Sequence, residues 1–195
     1  MDQGSLSLIL GPMFAGKTSA LLAQMRRYKF IGYASFIITH SSDTRYTSAA
    51  AIISHNQDSL AAHAVHELLP VRDHPDYKDA KLVAIEEAHF FGDLYDFVVA
   101  AVEKDKKHVI CVGLNGDAAR KPFGQLLELI PLADNITKID ALCPHCKGSV
   151  SGGHSALTAG IFTRRRSIVD NKEQVLVGGA DMYEAVCRKH YLEPV

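Results

Sequence analysis

Residues 11–18 constrain the fold of this chain more than any other feature, because they read GPMFAGKT, the pattern G-x-x-x-x-G-K-[ST]. A short apolar run at residues 6–10 precedes this octet, and residues 17–29 follow it with apolar side chains at helical spacing. A strand, a glycine-rich turn and a helix in that order form the context that a phosphate-binding P-loop requires. The sequence therefore predicts a binding site for a nucleoside triphosphate.

The P-loop motif predicts a separate role for each part of residues 11–18. In a P-loop the backbone N–H groups and the helix N-terminus surround the phosphates. Lys17 would reach the β- and γ-phosphates, and the Thr18 hydroxyl would bind Mg²⁺. An ordinary glycine-rich turn with a chance lysine is the alternative, and the complete octet between two suitable flanks argues against it. The predicted nucleotide-binding residues are Gly11, Met13, Phe14, Ala15, Gly16, Lys17 and Thr18.

The distribution of apolar residues indicates an α/β fold. Residues 36–38, 82–85 and 109–114 are nearly continuous apolar runs, which is typical of strands covered on both faces. An apolar stripe at helical spacing fills residues 93–103. Strands that alternate with helices predict a mainly parallel sheet with crossover helices.

Composition limits the kinds of partner. The formal net charge is −1, which gives no support for a polyanion held by bulk electrostatics. The chain contains no apolar run of the roughly eighteen residues that a membrane span needs, and it begins without a basic-then-apolar leader. We therefore expect a cytoplasmic protein whose partners include neither nucleic acid nor a membrane.

Two adjacent carboxylates, Glu86 and Glu87, follow the apolar run at residues 82–85. The C-terminal end of a buried strand is where a P-loop enzyme places the carboxylate that organises Mg²⁺. Adjacent side chains leave a strand in opposite directions. One glutamate can therefore face the metal while the other faces the group that attacks the γ-phosphate. A solvated acidic turn is the common explanation for paired glutamates, but the nearby P-loop favours a functional one.

Two short knuckles supply metal ligands in the last third of the chain. Cys143 and Cys146 form a C-x-x-C, and Cys187 and His190 form a C-x-x-H farther along. Four such ligands fill the tetrahedral shell of zinc without an open position, so we expect a structural ion. Redox chemistry at the C-x-x-C is the competing interpretation, and it would leave the second knuckle without a role. His145 could compete with His190 as a ligand.

The composition changes near residue 140, just before the first knuckle. The 195 residues suit one core domain and a small appendage. We expect a P-loop NTPase-like α/β domain at residues 1–140 and a small zinc-binding domain at residues 141–195. Zinc would hold both ends of residues 147–186, a glycine-containing segment with little to bury. Such a lasso could fold over a substrate and exclude water.

Seven blocks of this sequence stand in the order found in type II thymidine kinases, and the chain resembles that family from about residue 5 to residue 191. The blocks are residues 11–18, 43–46, 85–91 and 120–124, the two knuckles, and residues 178–181.

The resemblance implies ATP-dependent phosphorylation of the 5′-hydroxyl of thymidine and of deoxyuridine. Glu87 would be the general base, paired with Arg45, which approaches the transferring phosphate. Lys17 would be the third catalytic residue, and Thr18 and Glu86 would hold Mg²⁺. The residues that the family implies for the nucleoside site are Met13, Asp43, Phe90, Leu114, Phe123, Thr163, Leu176, Gly178 and Tyr183.

The resemblance also implies a homotetramer and feedback inhibition by thymidine triphosphate (dTTP). The chain departs from the family's usual pattern at several positions, and three of them bear on the proposed sites. His190 stands where a fourth cysteine is more usual, and a Cys₃His set still binds zinc. Glu86 stands where the family usually has an aspartate one methylene shorter, and His89 occupies a position often held by a polar amide.

Two other classes of function fit parts of the sequence. The run Arg164, Arg165 and Arg166 would suit a nucleic-acid-stimulated ATPase whose zinc ribbon grips a strand, although a solvated loop or a contact to ATP explains the same run. A zinc-stabilised nucleotide switch without chemistry is the third class. Stimulation by DNA would favour the ATPase, and tight ATP binding without turnover would favour the switch.

Overall fold

The computed structural model describes residues 3–42, 51–53, 59–146, 150–151, 154–155, 158–166 and 178–193. Its strands, in chain order, are β1 (Ser5–Gly11), β2 (Ser35–His40), β3 (Ala51–Ile53), β4 (Ser59–Ala61), β5 (His63–Val65), β6 (Leu82–Ile85), β7 (His108–Leu114), β8 (Asn135–Lys138), β9 (Ala141–Leu142), β10 (Val150–Ser151), β11 (His154–Ser155), β12 (Ala159–Gly160), β13 (Phe162–Arg165) and β14 (Tyr183–Val186).

Six of these strands form one sheet in the order β5-β2-β6-β7-β1-β8. Every neighbouring pair in it is parallel, which confirms the predicted α/β class. Because parallel strands run in one direction, their carboxyl ends meet at one edge of the sheet. The P-loop follows β1 at this edge, and Glu86 and Glu87 follow β6 there. Ligands of open α/β sheets bind at this edge.

The helices cover both faces of the sheet. They are α1 (Lys17–Phe30), α2 (Pro75–Asp79), α3 (Leu94–Val99) and α4 (Arg188–Leu192). Leu21, Leu22 and Met25 of α1 are buried against one face, and Phe97 of α3 is buried against the other. This double cover explains why the strands read as continuous apolar runs. Among the helices that the structure describes, none is long and apolar enough to cross a bilayer.

The helix predicted over residues 93–103 is regular only in its first part. After α3 the chain widens into a π-helical turn at Ala100–Lys104. The following carboxylate, Asp105, accepts hydrogen bonds from the Arg72 guanidinium and the Tyr77 hydroxyl, each 2.8 Å long. The Nζ of Lys107 donates to three backbone carbonyls around α2. This polar cluster stabilises the end of the sheet opposite the P-loop.

The last third of the chain forms small antiparallel pairs rather than an extension of the main sheet. β12 pairs with β9, and β13 pairs with β14. All four residues of β14 are buried, and Val186 packs with Cys143 and Cys187. The expectation that residues 147–186 bury little is therefore wrong for β14, because this strand supplies the core of the small C-terminal unit.

Candidate active site and metal centre

The P-loop joins the carboxyl end of β1 to the first turn of α1. Phe14 and Gly16 both have left-handed backbones, with φ of 63° and 82°, and α1 begins at the next residue, Lys17. The turn directs the first N–H groups of α1, which have no partners within the helix, toward the carboxyl edge of the sheet. Such N–H groups at a helix start favour an anion.

Lys17 is held close to this loop. Its side chain is almost buried, with 8 % of the residue exposed, and its Nζ donates a 2.8 Å hydrogen bond to the carbonyl of Pro12. A single carbonyl uses one of the three donors of an ammonium group. This position at the start of α1 suits a contact between the ammonium group and phosphate oxygens.

Thr18 and Glu86 meet across the carboxyl edge of the sheet. The Thr18 hydroxyl donates a 2.5 Å hydrogen bond to Oε1 of Glu86, and Glu86 is 5 % exposed. The backbone N–H of Glu86 still pairs with β2 through the carbonyl of Ile38. The rigid end of β6 therefore positions this carboxylate beside the P-loop hydroxyl. A hydroxyl and a carboxylate are the hard oxygen ligands that suit Mg²⁺.

Glu87 leaves the sheet in another direction from Glu86. Its backbone is left-handed, with φ of 50°, and its side chain is 13 % exposed. Its Oε2 lies 3.6 Å from Nδ1 of His89. The two adjacent glutamates thus face different partners, as the sequence predicted for residues with separate roles.

The aromatic residues near Glu87 form a wall. The rings of Phe90 and Phe123 meet edge to face with centroids 5.6 Å apart. The imidazole of His89 lies between them, 4.4 Å from Phe90 and 4.6 Å from Phe123. Nδ1 of His89 also accepts a 3.3 Å hydrogen bond from the backbone N–H of Leu114, at the end of β7. The structure therefore brings three of the expected nucleoside-site residues together around His89.

A hydrogen bond joins the P-loop to the C-terminal unit. The backbone N–H of Met13 donates a 3.0 Å hydrogen bond to Oγ1 of Thr163, which lies on β13 and is 4 % exposed. Thr163 and Tyr183 belong to paired strands, and Gly178 lies five positions before Tyr183, beside a turn closed by the carbonyl of Gly179. Of these residues, Thr163 contacts the P-loop directly, so β13 lies beside it. The remaining predicted site residues, Asp43, Arg45 and Leu176, lie outside the described residues.

The two knuckles converge on one point. Nδ1 of His190 lies 3.4 Å from Sγ of Cys143, 3.5 Å from Sγ of Cys146 and 3.2 Å from Sγ of Cys187. The sulfur atoms of Cys146 and Cys187 are 3.8 Å apart. All four ligand atoms lie within 4.8 Å of one another.

These distances fit a tetrahedral zinc ion. With Zn–S of about 2.3 Å and Zn–N of about 2.05 Å, ligand pairs would be separated by about 3.8 Å for two sulfurs and about 3.6 Å for sulfur and nitrogen. His145 does not belong to the cluster, since its Nε2 lies 2.8 Å from Oε2 of Glu184. The competition between His145 and His190 as ligands is therefore resolved in favour of His190.

The chemistry of Cys187 also suits a metal ligand. Burial by itself would raise the pKa of its thiol, but hydrogen bonds from the backbone and side chain of His190 outweigh burial and lower the pKa to about 7. The thiolate is the form that binds metals. The remaining cysteine, Cys111, lies in β7, where burial raises the pKa of its thiol.

Behind the ligands lies a buried ion pair. Nε and Nη2 of Arg164 donate to Oε1 of Glu184 at 3.0 and 2.7 Å, and Nη1 donates to the carbonyl of His190. The side chains of Arg164 and Glu184 are 12 % and 8 % exposed. Burial opposes ionisation of Glu184, but hydrogen bonds from Arg164 and His145 outweigh it and hold its pKa below the usual value. Arg164 therefore links this ion pair to the backbone of His190, one of the four candidate metal ligands.

The sequence did not identify this ion pair or His89. Arg164 belongs to a polar run, which suggested a surface that contacts nucleic acid or ATP. The available signal was Glu184, a charged residue within the otherwise apolar strand β14. For His89 the signal was a residue type unusual at its position in the resembled family.

Comparison with known proteins agrees with this geometry. The family model described as thymidine kinase matches residues 4–191. A thymidine kinase of Arabidopsis thaliana is 38 % identical over 192 residues, which cover 97 % of this chain and 75 % of the plant protein. The thymidine kinase of monkeypox virus is 33 % identical over 193 residues, which cover 99 % of both chains.

The matches to the plant and viral proteins extend over nearly the whole chain, from the P-loop through the second knuckle. They include the carboxyl edge of the sheet, where Thr18 meets Glu86, and the cluster of three cysteines and one histidine. The family model alone covers far more than half of the sequence. The chain therefore belongs to the thymidine kinase family.

Proposed function

We propose that this protein transfers the γ-phosphoryl group of ATP to the 5′-hydroxyl of thymidine and of deoxyuridine, giving thymidine monophosphate from thymidine. The contact between Thr18 and Glu86 carries the proposal, because it joins the P-loop to the strand-end carboxylate at the edge where α/β folds bind ligands. The plant and viral relatives are named thymidine kinases, which supports thymidine as the acceptor.

Glu87 would act as the general base. It is adjacent to the Mg²⁺ candidate Glu86, and its Oε2 lies 3.6 Å from the His89 imidazole that packs against Phe90 and Phe123. Its carboxylate could therefore meet a nucleoside held at this wall. The oxygen of the 5′-hydroxyl would form a bond to the γ-phosphorus while the bond from that phosphorus to the β,γ-bridging oxygen breaks. The hydroxyl proton would pass to Glu87, and ADP would leave.

Lys17 and the start of α1 would stabilise the negative charge that the phosphates carry through this step. Mg²⁺, held by Thr18 and Glu86, would neutralise charge on the β- and γ-phosphate oxygens. Arg45 would pair with Glu87 and approach the transferred group.

The nucleoside would lie between the aromatic wall and the C-terminal unit. Phe90, Leu114 and Phe123 gather around His89, while Thr163 approaches the P-loop through Met13. We propose that zinc at the four-ligand cluster anchors residues 147–186 as a lasso over the base. Asp43, Leu176, Gly178 and Tyr183 would complete the site.

The resemblance to the family suggests three further properties. We propose a homotetramer that is inhibited by dTTP and acts in the cytoplasm. Size-exclusion chromatography with light scattering tests the tetramer, and a dTTP titration at fixed thymidine tests the inhibition. A monomer in solution, or turnover that dTTP leaves unchanged, would exclude the corresponding property.

A coupled ADP-release assay tests the reaction. Purified protein with ATP and Mg²⁺ is given thymidine, deoxyuridine, deoxycytidine, deoxyadenosine or no acceptor. We expect turnover with thymidine and deoxyuridine and none with the other nucleosides, because buried polar groups reject bases that lack matching partners.

The variant Lys17→Met serves as the control for contaminating kinases from the expression host, and we expect it to be inactive. ATP hydrolysis that ignores the nucleoside would contradict the kinase and favour a nucleic-acid-stimulated ATPase. Tight ATP binding without turnover would favour a nucleotide switch.

A further inference from the structure

His89 is a buried histidine to which the proposed reaction assigns no role. It lies in the short 3₁₀ turn Ala88–Phe90 that follows the two glutamates, and its side chain is 1 % exposed. Buried polar side chains are normally held by hydrogen bonds. The position of its imidazole is therefore set by the groups around it.

The first of these groups is the backbone of Leu114. β6 pairs with β7 only as far as Ile85, opposite Cys111. The N–H of Asn115 donates to the carbonyl of Gly11 on the β1 side, so the preceding N–H, that of Leu114, points to the side where β6 has already ended. Nδ1 of His89 accepts from it at 3.3 Å. The imidazole thus replaces the carbonyl that a longer β6 would provide.

The backbone around His89 is shaped to admit its ring. A Cβ on Gly113 would lie 2.8 Å from Nδ1 of His89 and 2.6 Å from a methyl carbon of Leu126. A Cβ on Gly124 would lie 2.1 Å from the carbonyl oxygen of His89. Both glycines therefore allow close approach, one by the ring and the other by the loop that carries Phe123.

The ring also contacts the expected nucleoside wall. Its centroid lies 4.4 Å from that of Phe90 and 4.6 Å from that of Phe123. One side chain thereby contacts the end of β7 and both aromatic residues. A shift of the imidazole would move all three wall components together.

We propose that His89 is a positioning residue for the nucleoside: as the neutral tautomer with its proton on Nε2, it accepts from Leu114 and fixes Leu114, Phe90 and Phe123. The inference rests on the proposed function, since these three residues serve there as the nucleoside wall. The tautomer follows from the hydrogen bond, because Nδ1 can accept from the N–H of Leu114 only through its lone pair. Oε2 of Glu87, the proposed base, lies farther from the same nitrogen, at 3.6 Å. His89 therefore acts by positioning its neighbours and takes no part in the transfer itself.

Steady-state kinetics of two variants test the role of the acceptor. His89→Phe keeps an aromatic ring but leaves the buried N–H of Leu114 without its acceptor. We expect its KM for thymidine to rise about tenfold and its KM for ATP to stay within about threefold of wild type. His89→Gln supplies an amide oxygen that can accept, so its KM for thymidine should stay within about threefold of wild type.

The matched control is His108→Phe, the same substitution at the opposite end of β7, where Nδ1 contacts the Ser5 hydroxyl. We expect it to leave both KM values unchanged. An unchanged KM for thymidine in His89→Phe, or equal damage from glutamine and phenylalanine, would overturn the proposal. If His89→Phe does not fold, His89→Leu gives the same comparison without an acceptor.

¹⁵N NMR of the imidazole provides a readout that does not depend on activity. The signals of His89, identified by their loss in His89→Gln, should show an unprotonated Nδ1 and a protonated Nε2 at pH 7.5. A protonated Nδ1 would overturn the inference even in an active enzyme. Wild-type protein that fails to phosphorylate thymidine would refute the proposed function instead, and the tautomer would still be measured.

Discussion

The hydroxyl of Thr18 donates a 2.5 Å hydrogen bond to Oε1 of Glu86. Thr18 lies in the first turn of α1, after β1, and Glu86 lies at the end of β6, with β7 between the two strands in the sheet. A hydroxyl and a carboxylate on separate rigid elements, both groups that suit Mg²⁺, are thus in direct contact.

This contact predicts how activity depends on Mg²⁺. Glu86→Gln removes the negative charge that favours a divalent cation, and we expect the Mg²⁺ concentration for half-maximal activity to rise about tenfold or more. Glu86→Asp keeps the charge and should be affected less. Titration of Mg²⁺ at saturating ATP and thymidine measures the effect, with the exposed Glu103→Gln as control. An Mg²⁺ dependence like that of wild type in Glu86→Gln would remove Glu86 from the metal site.

Glu87→Gln tests the general base. The amide cannot take the proton of the 5′-hydroxyl, so we expect kcat to fall by roughly 10²-fold or more, while thymidine binding changes little. Stopped-assay kinetics and calorimetric binding of thymidine separate the two quantities. A kcat equal to that of wild type would reassign the base, with Glu86 the first residue to examine.

Loss of zinc should damage the nucleoside site more than the ATP site. The ligands Cys187 and His190 adjoin β14, which pairs with β13, and β13 carries the Thr163 that bonds to Met13. We expect Cys143→Ser to lose the metal and to raise the KM for thymidine more than the KM for ATP. Mass spectrometry under native conditions gives the zinc content, with one ion per chain expected in wild type.

The control for this substitution is Cys111→Ala, which removes a thiol that lies in the main sheet, and it should retain zinc. If Cys143→Ser raised the KM for thymidine and the KM for ATP by the same factor, the metal would support the whole fold and not the nucleoside site in particular. Zinc retained at full stoichiometry would exclude Cys143 as a ligand.

Asp105 predicts an acid-dependent part of the stability. Hydrogen bonds from Arg72, and to a lesser extent from Tyr77, hold the pKa of Asp105 below its usual value despite partial burial. Its contribution is therefore fully present above the ordinary aspartate pKa of about 3.9 and is lost as the pH falls through the lower folded value. We expect Asp105→Asn to lower the free energy of unfolding by about 1–3 kcal/mol at pH 7.

Urea unfolding at pH 7 and at stepwise lower pH measures this effect. The difference between Asp105→Asn and wild type should shrink below about pH 4, because the wild-type carboxyl also becomes neutral there. Asp73→Asn, in an almost fully exposed side chain, is the control. A difference that stays constant across this pH range would mean that the ionised form of Asp105 does not stabilise the fold.

Local sequence patterns predicted the structural elements that are determined by residues close together in the chain. The octet at residues 11–18 predicted the turn between β1 and α1, and the apolar runs predicted β2, β6 and β7 because these strands are covered on both faces. The paired knuckles indicated the metal ligands because ligand type and spacing are themselves the signal.

The contacts that the sequence did not predict join residues far apart in the chain. Met13 bonds to Thr163 across 150 positions, and Leu114 bonds to His89 across 25. No periodicity encodes such pairs, because they arise only when the strands are assembled. The role of Arg164 could not be predicted for the same reason. A run of arginines suggests a solvated surface, and only the folded structure places Glu184 beside Arg164.

The ion pair of Arg164 and Glu184 predicts the stability of the metal centre. Arg164→Met leaves the Glu184 carboxylate buried without the two hydrogen bonds from Arg164, and removing one partner of a buried pair costs about 3 kcal/mol. We expect a loss of this size in the free energy of unfolding, together with faster loss of zinc to a chelator, because Arg164 also donates to the carbonyl of the ligand His190. Arg166→Met, at an exposed position in the same run, should change neither quantity.

A double-mutant cycle separates the pair from its surroundings. Arg164→Met combined with Glu184→Gln removes both charges, so the double variant should be more stable than the sum of the single losses predicts, by about 1 kcal/mol or more. Additive losses would show that the two side chains act independently.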